Sequence, residues 1–259
     1  MFRLRIGPEA NRGVGVAFTD RHGGVSAPDM GPLNLGRTLD DEVANVETNF
    51  ERVRRALGVQ KLVTTSQVHG PEVLTVDDDV LHQWGPRAHL GAPAGERSLV
   101  EADAMVTALP DVGLCIRVAD CVPVLLADVD SGVLGAAHAG RVGFLAGVLV
   151  RTVERMRELG AGEIVAWIGP HVCGDCYEVP AEMAEQVSRT HPEAVTRTSW
   201  GTPGLDLGQA CEVQLVELGV QPVRLDPCTR TEPDLHSHRR DGERAGRMGA
   251  LIWRVSRPT

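Results

Sequence analysis

The sequence predicts an α+β fold, a layered α/β/α sandwich of mixed sheet, as a single domain over residues 1–259. Three observations lead there. Short apolar, β-branched runs recur along most of the chain. Helical segments fall between some of those runs and not others, so the steady alternation that builds a doubly wound sheet is missing. At 259 residues the chain is long enough to bury a substantial core, and it carries no internal repeat.

In chain order, residues 14–18 read as the first strand. Asp40 or Asp41 is placed to cap a helix that runs to about Leu57, where Gly58 stops it. Residues 62–65 and 73–76 read as strands. The stretch 77–98 shifts from acidic to rich in Pro, Gly and Ala and reads as a long surface excursion. Three apolar runs follow, at 114–118, 122–127 and 133–137. After Gly143, the residues Leu145, Val148, Leu149, Thr152, Met156 and Leu159 keep helical spacing up to Gly160. A strand at 164–168, helices at 181–190 and 207–218, and a strand at 223–225 complete the reading.

Composition excludes several functions. With a formal net charge of −9, the chain lacks the basic face that a polyanion needs, so nucleic acid is not the expected partner. Aromatic residues are only 3%, too few for a base-stacking platform. No run approaches the roughly 20 apolar residues that span a bilayer, and the start, Met1-Phe2-Arg3-Leu4-Arg5, does not read as a signal peptide. The six cysteines therefore read as reduced thiols in a cytoplasmic protein.

Three short segments carry metal-ligand chemistry: Gln67-Val68-His69-Gly70, Ala119-Asp120-Cys121-Val122-Pro123 and Ala136-Ala137-His138-Ala139-Gly140. Each sets one borderline or soft ligand among small or apolar residues where a strand ends. Two imidazoles and a thiolate are one ligand short of a closed structural zinc site, which is the arrangement of catalytic zinc. Cys121 alone reads equally well as a small buried hydrophobe. Asp120 beside it is a charge in an apolar stretch, and it calls for a polar or cationic partner, a role that zinc suits. Only the fold can bring His69 and Cys121, 52 positions apart, to one point.

Together with Phe18 to Ser26, Leu33-Asn34-Leu35-Gly36, Ala102-Asp103-Ala104, Ile168-Gly169-Pro170, Tyr177-Glu178-Val179, Cys228-Thr229 and Ser237-His238-Arg239-Arg240, these segments resemble the YfiH family over nearly the whole chain. Members have been called laccase-like polyphenol oxidoreductase, purine nucleoside phosphorylase and peptidoglycan editing factor. The resemblance implies catalytic metal ligands at His69, Cys121 and His138, holding zinc, with copper as the alternative. It implies phosphorolysis of adenosine, inosine, guanosine and methylthioadenosine, and deamination of adenosine; the partners are then purine nucleosides and phosphate. Substrate binding falls to polar residues inside the matching motifs, Arg21, Asn34, Asp103 and Arg239. Arginine suits a bidentate hold on phosphate, and asparagine suits a purine edge or ribose hydroxyl; a salt bridge or turn cap is the structural alternative for each.

This chain departs from the family where members read Gly-Trp-Arg-Gly: here stands Gly140-Arg141-Val142-Gly143, with the arginine one place early and no tryptophan. His236 replaces a usual aromatic. Cys173-Gly174-Asp175-Cys176, preceded by His171, has the form of half a structural zinc site or a redox pair, but no second Cys-x-x-Cys accompanies it; Cys176 and Cys228 fall where the family often has cysteines, so they read as packing near the site. Two other functions stay open. One is a cysteine-type amidase acting on peptidoglycan precursors, with Cys121 as nucleophile and His138 as base. The other is a copper polyphenol oxidase, for which nine histidines are few. A metal-binding protein without catalysis is the remaining reading.

Overall fold

A computed structural model describes residues 1–37, 41–84 and 100–255. Its strands form two large sheets packed face to face. The first contains β1 (Phe2–Ile6), β2 (Val14–Thr19), β3 (Lys61–Val63), β6 (Val112–Val118) and β13 (Met248–Arg254), in the order β1-β2-β13-β6-β3. The second contains β4 (Val73–Thr75), β5 (Ala104–Thr107), β7 (Val122–Ala127), β8 (Leu134–Ala139), β9 (Val165–Ile168) and β12 (Gln221–Arg224), in the order β12-β9-β7-β8-β5-β4. Both are mixed: β3 with β6, β4 with β5 and β9 with β12 are parallel, and the other pairs are antiparallel. A small hairpin-like pair, β10 (Val195–Arg197) and β11 (Pro203–Leu205), stands apart.

The period-2 geometry of a strand sorts each apolar run onto two buried faces. Leu114, Ile116, Ala250 and Ile252 of the first sheet meet Leu125, Leu134, Ala136 and Trp167 of the second in the inter-sheet core. The opposite faces are covered by helices. Val46, Phe50, Val53 and Leu57, a stripe at helical spacing on α1 (Val43–Leu57), cover Cys115, Leu251 and Trp253 of the first sheet. Each such fully buried large side chain contributes about 1.5–3 kcal/mol relative to exposure. On the second sheet, α4 (Val148–Glu158), α5 (Ala181–Ser188) and α6 (Leu207–Glu217) cover Val124, Leu126, Ala137 and Ile168. Burial on both faces explains why β7 and β8 read as unbroken apolar runs without polar alternation.

The α+β class, with helices on both outer faces, is therefore borne out, and the β layer between them is double. Strands β1, β5, β10, β11 and β13 add to those read from sequence. β13 lies between β2 and β6 in the first sheet, pairing Leu251 with Ala17 on one side and Cys115 on the other. The long helix expected after Gly143 is two, α3 (Arg141–Leu145) and α4, parted at Gly147 in the left-handed region with φ 85. Asp41 does not cap α1. It accepts hydrogen bonds from Ser26, Asn34 and Asn45, and Glu42 takes the cap position without a side-chain bond; Asp40 lies outside the described residues. Of the excursion at 77–98, α2 (Asp78–Trp84) is described, and 85–98 lies outside the described residues. No helix among the described residues is long and apolar enough to cross a membrane.

Candidate metal centre and anion pocket

Two of the segments that cross from the first sheet to the second end at the same place. Residues 64–72 join β3 to β4 and carry His69; residues 119–121 join β6 to β7 and carry Cys121. His138 arrives from within the second sheet, near the end of β8. Register does the rest. β5 pairs with β8 so that Ala104 faces Ala137, which sets Asp103 against His138, and β7 pairs with β8 so that Val122 faces Ala139, which sets Cys121 against Gly140.

Asp103 organises the centre. Its carboxylate accepts from His138 Nδ1 at 2.7 Å and from the backbone N–H groups of Val68, His69 and Gly70 at 3.0, 2.9 and 2.8 Å. Burial opposes the charge of this fully enclosed group, but His138 and the Gly70 and Val68 amides outweigh it and hold the carboxyl below its ordinary range. Three N–H bonds converging on one acceptor also hold the turn that puts His69 at φ 61, a conformation costing about 1–3 kcal/mol for a residue with a side chain. With Nδ1 tied to Asp103, His138 turns its Nε2 toward Cys121 and His69. Imidazole ligands of metal ions are commonly oriented by a carboxylate in this way.

Cys121 Sγ lies 3.7 Å from His69 Nε2, and the two imidazole rings meet edge-on at 4.8 Å. Ligand atoms of all three side chains lie within 4.8 Å of one another. Bond lengths of about 2.0–2.3 Å put two ligands on a tetrahedral ion roughly 3.5 Å apart, close to the Cys121–His69 spacing. Gly140 keeps the space open, since a Cβ there would stand 2.7 Å from His69 Cδ2 and 3.2 Å from Cys121 Sγ. Burial works against the Cys121 thiolate, yet the imidazoles of His138 and His69 bring it down to about 6. The thiolate and Asp103 in turn carry buried His138 up to about 9. The donor set fits a borderline or soft ion, zinc or copper, with room for a further ligand. Asp120, for which sequence reading offered a zinc partner, is satisfied otherwise: it accepts from the Thr229 hydroxyl at 2.5 Å and the Arg239 backbone N–H at 2.6 Å.

The triad opens into a cavity of about 460 Å³ walled by Arg37, Arg117, Arg141, Arg239, Arg247 and Tyr177. Arg239 stacks its guanidinium 4.7 Å over the Tyr177 ring and donates to the Glu178 carbonyl. Burial disfavours the charge of Arg117, and the neighbouring Arg37 and Arg247 add to the effect. Its Nε has no hydrogen-bond partner among the described residues. Arg247 is likewise disfavoured by burial, although Cys121 and Asp120 support its charge. Cations gathered in a concave, partly dry wall are poised for an anion.

Of the residues expected to bind substrate, Arg239 lines this cavity and Arg21, Asn34 and Asp103 do not. Arg21 sits 3.9 Å from Asp241. Asn34 is fully buried, donating to the Gly36 carbonyl and to Asp41 and accepting from the Gly36 and Arg247 amides, so it braces the pocket wall from behind. Asp103 has its acceptors occupied. His238 lines the cavity, whereas His236 is buried against the Leu33 carbonyl and pushed down to about 4 by burial. Sequence reading missed Arg37, Arg117 and Arg247 as pocket residues. Arg117 carried a usable signal, a charge inside the apolar run of β6. Cys173 and Cys176 do not pack against the triad; they gather with Cys228 in a separate three-sulfur group.

The family model described as multi-copper polyphenol oxidoreductase laccase matches residues 15–255. The chain is 45% identical over 246 residues to a purine nucleoside phosphorylase of Streptomyces coelicolor, covering 93% of this chain and 96% of that one. It is 32% identical over 249 residues to the purine nucleoside phosphorylase YfiH of Escherichia coli, covering 94% and 95%. Among solved structures it is similar to YlmD from Geobacillus stearothermophilus, with a TM-score of 0.83 and 29% identity over 98% of this chain and 97% of that one. It is also similar to the hypothetical protein YfiH of Bacillus licheniformis, with a TM-score of 0.84 and 28% identity over 98% and 99%.

Proposed function

The chain belongs to the family described as multi-copper polyphenol oxidoreductase laccase, and from that premise we propose that it is a metal-dependent purine nucleoside phosphorylase of the cytoplasm that also deaminates adenosine. The observation that carries the reading is the set of arginines, Arg37, Arg117, Arg141, Arg239 and Arg247, facing one cavity with the His69–Cys121–His138 triad. An acidic chain gathers so much positive charge at one point for an anionic substrate, and phosphate matches the guanidinium fork. The curated relatives named above are called purine nucleoside phosphorylases. Adenosine, inosine, guanosine and methylthioadenosine are the nucleosides of this proposal.

His69, Cys121 and His138 would hold the ion, which when bound supplies Lewis-acid charge beside the substrate; zinc suits the set and copper is the alternative. Asp103 fixes the His138 tautomer and keeps Nε2 aimed at the centre. The arginines hold and orient phosphate, an arrangement that converts a bimolecular encounter into a positioned one. A phosphate oxygen then forms the bond to C1′ while the glycosidic bond breaks, its electron pair leaving with the base. Arg117 and Arg247 are partly stripped of water, so their hold on a dianion is stronger than that of exposed arginines. Tyr177, which lines the cavity, offers an apolar ring face for the purine. In deamination water attacks C6 and ammonia departs, and the phosphate-holding arginines are not required.

A second reading, amide hydrolysis with Cys121 as nucleophile, is favoured by one feature: Asp103, His138 and Cys121 stand in the order of an orienter, a base and a thiol brought down to about 6. A metal held by both residues would block that chemistry. Metal analysis and product chromatography after incubation with each nucleoside, with and without phosphate, decide between the readings. We expect free base and ribose 1-phosphate only with phosphate present, hypoxanthine-containing product from adenosine without it, and loss of both on chelation with recovery on adding zinc. Amide hydrolysis that survives chelation would favour the second reading, and a fully metallated protein inert toward every nucleoside would overturn the first.

A further inference from the structure

The group Cys173, Cys176 and Cys228 lies outside the machinery described so far. Their sulfurs all lie within 4.8 Å of one another, and all three are free thiols. Two come from one tight turn, in which the Cys176 and Tyr177 amides both donate to the Cys173 carbonyl at 3.0 Å. The third arrives from the segment after β12, clamped by a parallel bridge between His171 and Cys228 in which the Thr229 amide donates to the His171 carbonyl at 2.9 Å. The Cys173 amide points at Cys228 Sγ at 3.5 Å. An N–H directed at sulfur favours the thiolate, which is the form that binds metal.

We propose that Cys173, Cys176 and Cys228 form a second metal site, separate from the His69–Cys121–His138 centre, which takes a single monovalent copper ion. The choice of ion follows from the donors. Structural zinc is almost always held by four ligands, and the group among the described residues offers three, all sulfur. Thiolates suit Cu(I), zinc and iron–sulfur clusters, but structural zinc and those clusters ask for four protein ligands, whereas three sulfurs suffice for a closed-shell ion content with trigonal coordination. A disulfide would use two of the three sulfurs and strand the last. Binding exchanges thiol protons for the ion, and no electron moves.

The site sits directly behind the pocket. Cys173 follows Val172 and Cys176 precedes Tyr177, both of which face the cavity. Cys228 precedes Thr229, whose hydroxyl holds Asp120 beside Cys121. An ion there would tie two segments from the ends of β9 and β12 into one rigid wall without touching substrate.

The test uses the full-length protein, reduced and stripped of metal, titrated anaerobically with Cu(I) against a chromogenic Cu(I) chelator. Cys121→Ala removes competition from the first centre; Cys228→Ser and, independently, Cys176→Ser are added to it, with circular dichroism to verify folding. Cys121→Ala should bind one equivalent with sulfur-to-copper charge-transfer absorption, and X-ray absorption should find only sulfur around the metal. Each added serine should abolish that equivalent. The proposal is overturned if Cu(I) uptake persists in both double variants, if nitrogen or oxygen ligands appear, if zinc displaces Cu(I) at equal concentration, or if Cys121→Ala takes up none. Should the serine variants unfold, the X-ray absorption of Cys121→Ala alone still decides.

Discussion

At the scale of single residues, Asp103 does the most for the centre without lining the cavity. It joins the sheet that carries His138 to the turn that carries His69. Asp103→Asn keeps an acceptor but presents a donor to one partner and removes the charge that supports His138. Metal affinity should fall about 10–100-fold, read by competition with a zinc chelator. Asp103→Ala leaves the buried His138 Nδ1 donor unanswered at about 1–3 kcal/mol and also frees three part-buried amides, so its thermal unfolding should drop below that of the Asn variant. Equal metal affinity in wild type and Asp103→Asn would remove the orienting role.

Cys121 and His138 make a second test at this scale. In metal-free protein the Cys121 thiol is brought down to about 6 by the two imidazoles, against burial. A group with a lowered value is charged above it, so thiolate absorbance near the far ultraviolet should appear as pH rises through about 6 and be missing in Cys121→Ala. In His138→Ala the same rise should move to higher pH, because the supporting imidazolium is gone. A midpoint unchanged by that substitution would show that His69 alone supports the thiolate.

At the scale of elements, the junction between β8 and α3 is built for closeness. Gly140 faces Cys121 across the β7–β8 register, and Gly143 would meet the Gly70 carbonyl at 2.9 Å if it carried a Cβ. Gly140→Ala should therefore push His69 aside, weakening metal binding at least about tenfold while shifting the melting temperature little, since Gly140 adopts ordinary extended angles. Isothermal titration with zinc and a thermal melt on the same sample separate the two effects. A wild-type affinity would mean that the ligands do not need the gap seen between the elements.

At the scale of the whole molecule, a chain of net charge −9 concentrates arginines from several separate segments around one cavity. Replacing Arg239 with Ala should raise the KM for phosphate about 10–100-fold, the worth of a hydrogen bond to a charged group, and leave deamination of adenosine much less affected. Initial rates at varied phosphate, beside a phosphate-free deamination assay, read both. Equal losses would assign Arg239 to the nucleoside or to the wall it forms with Tyr177.

What was legible in the sequence is chemistry that is local in the chain. Apolar runs marked β2, β6, β7, β8 and β9, the glycine after it marked the end of α1, and helical spacing up to Gly160 marked α4, because propensity and periodicity act over a few residues. The short motifs around His69, Cys121 and His138 marked the candidate ligands that the fold brings together, because each motif states a donor and the small residues that make room for it. Pairing was decided by the tertiary structure. The double β layer depends on β13 being inserted between β2 and β6, a contact between chain ends that no local pattern encodes. The bracing hydrogen bonds of Asp103 and Asn34 follow from which amides the fold brings to them. The arginine wall and the three-sulfur group likewise join residues far apart in sequence, and a side chain's partner in such a case is set by where two sheets and their crossing segments meet, a property of the packed whole.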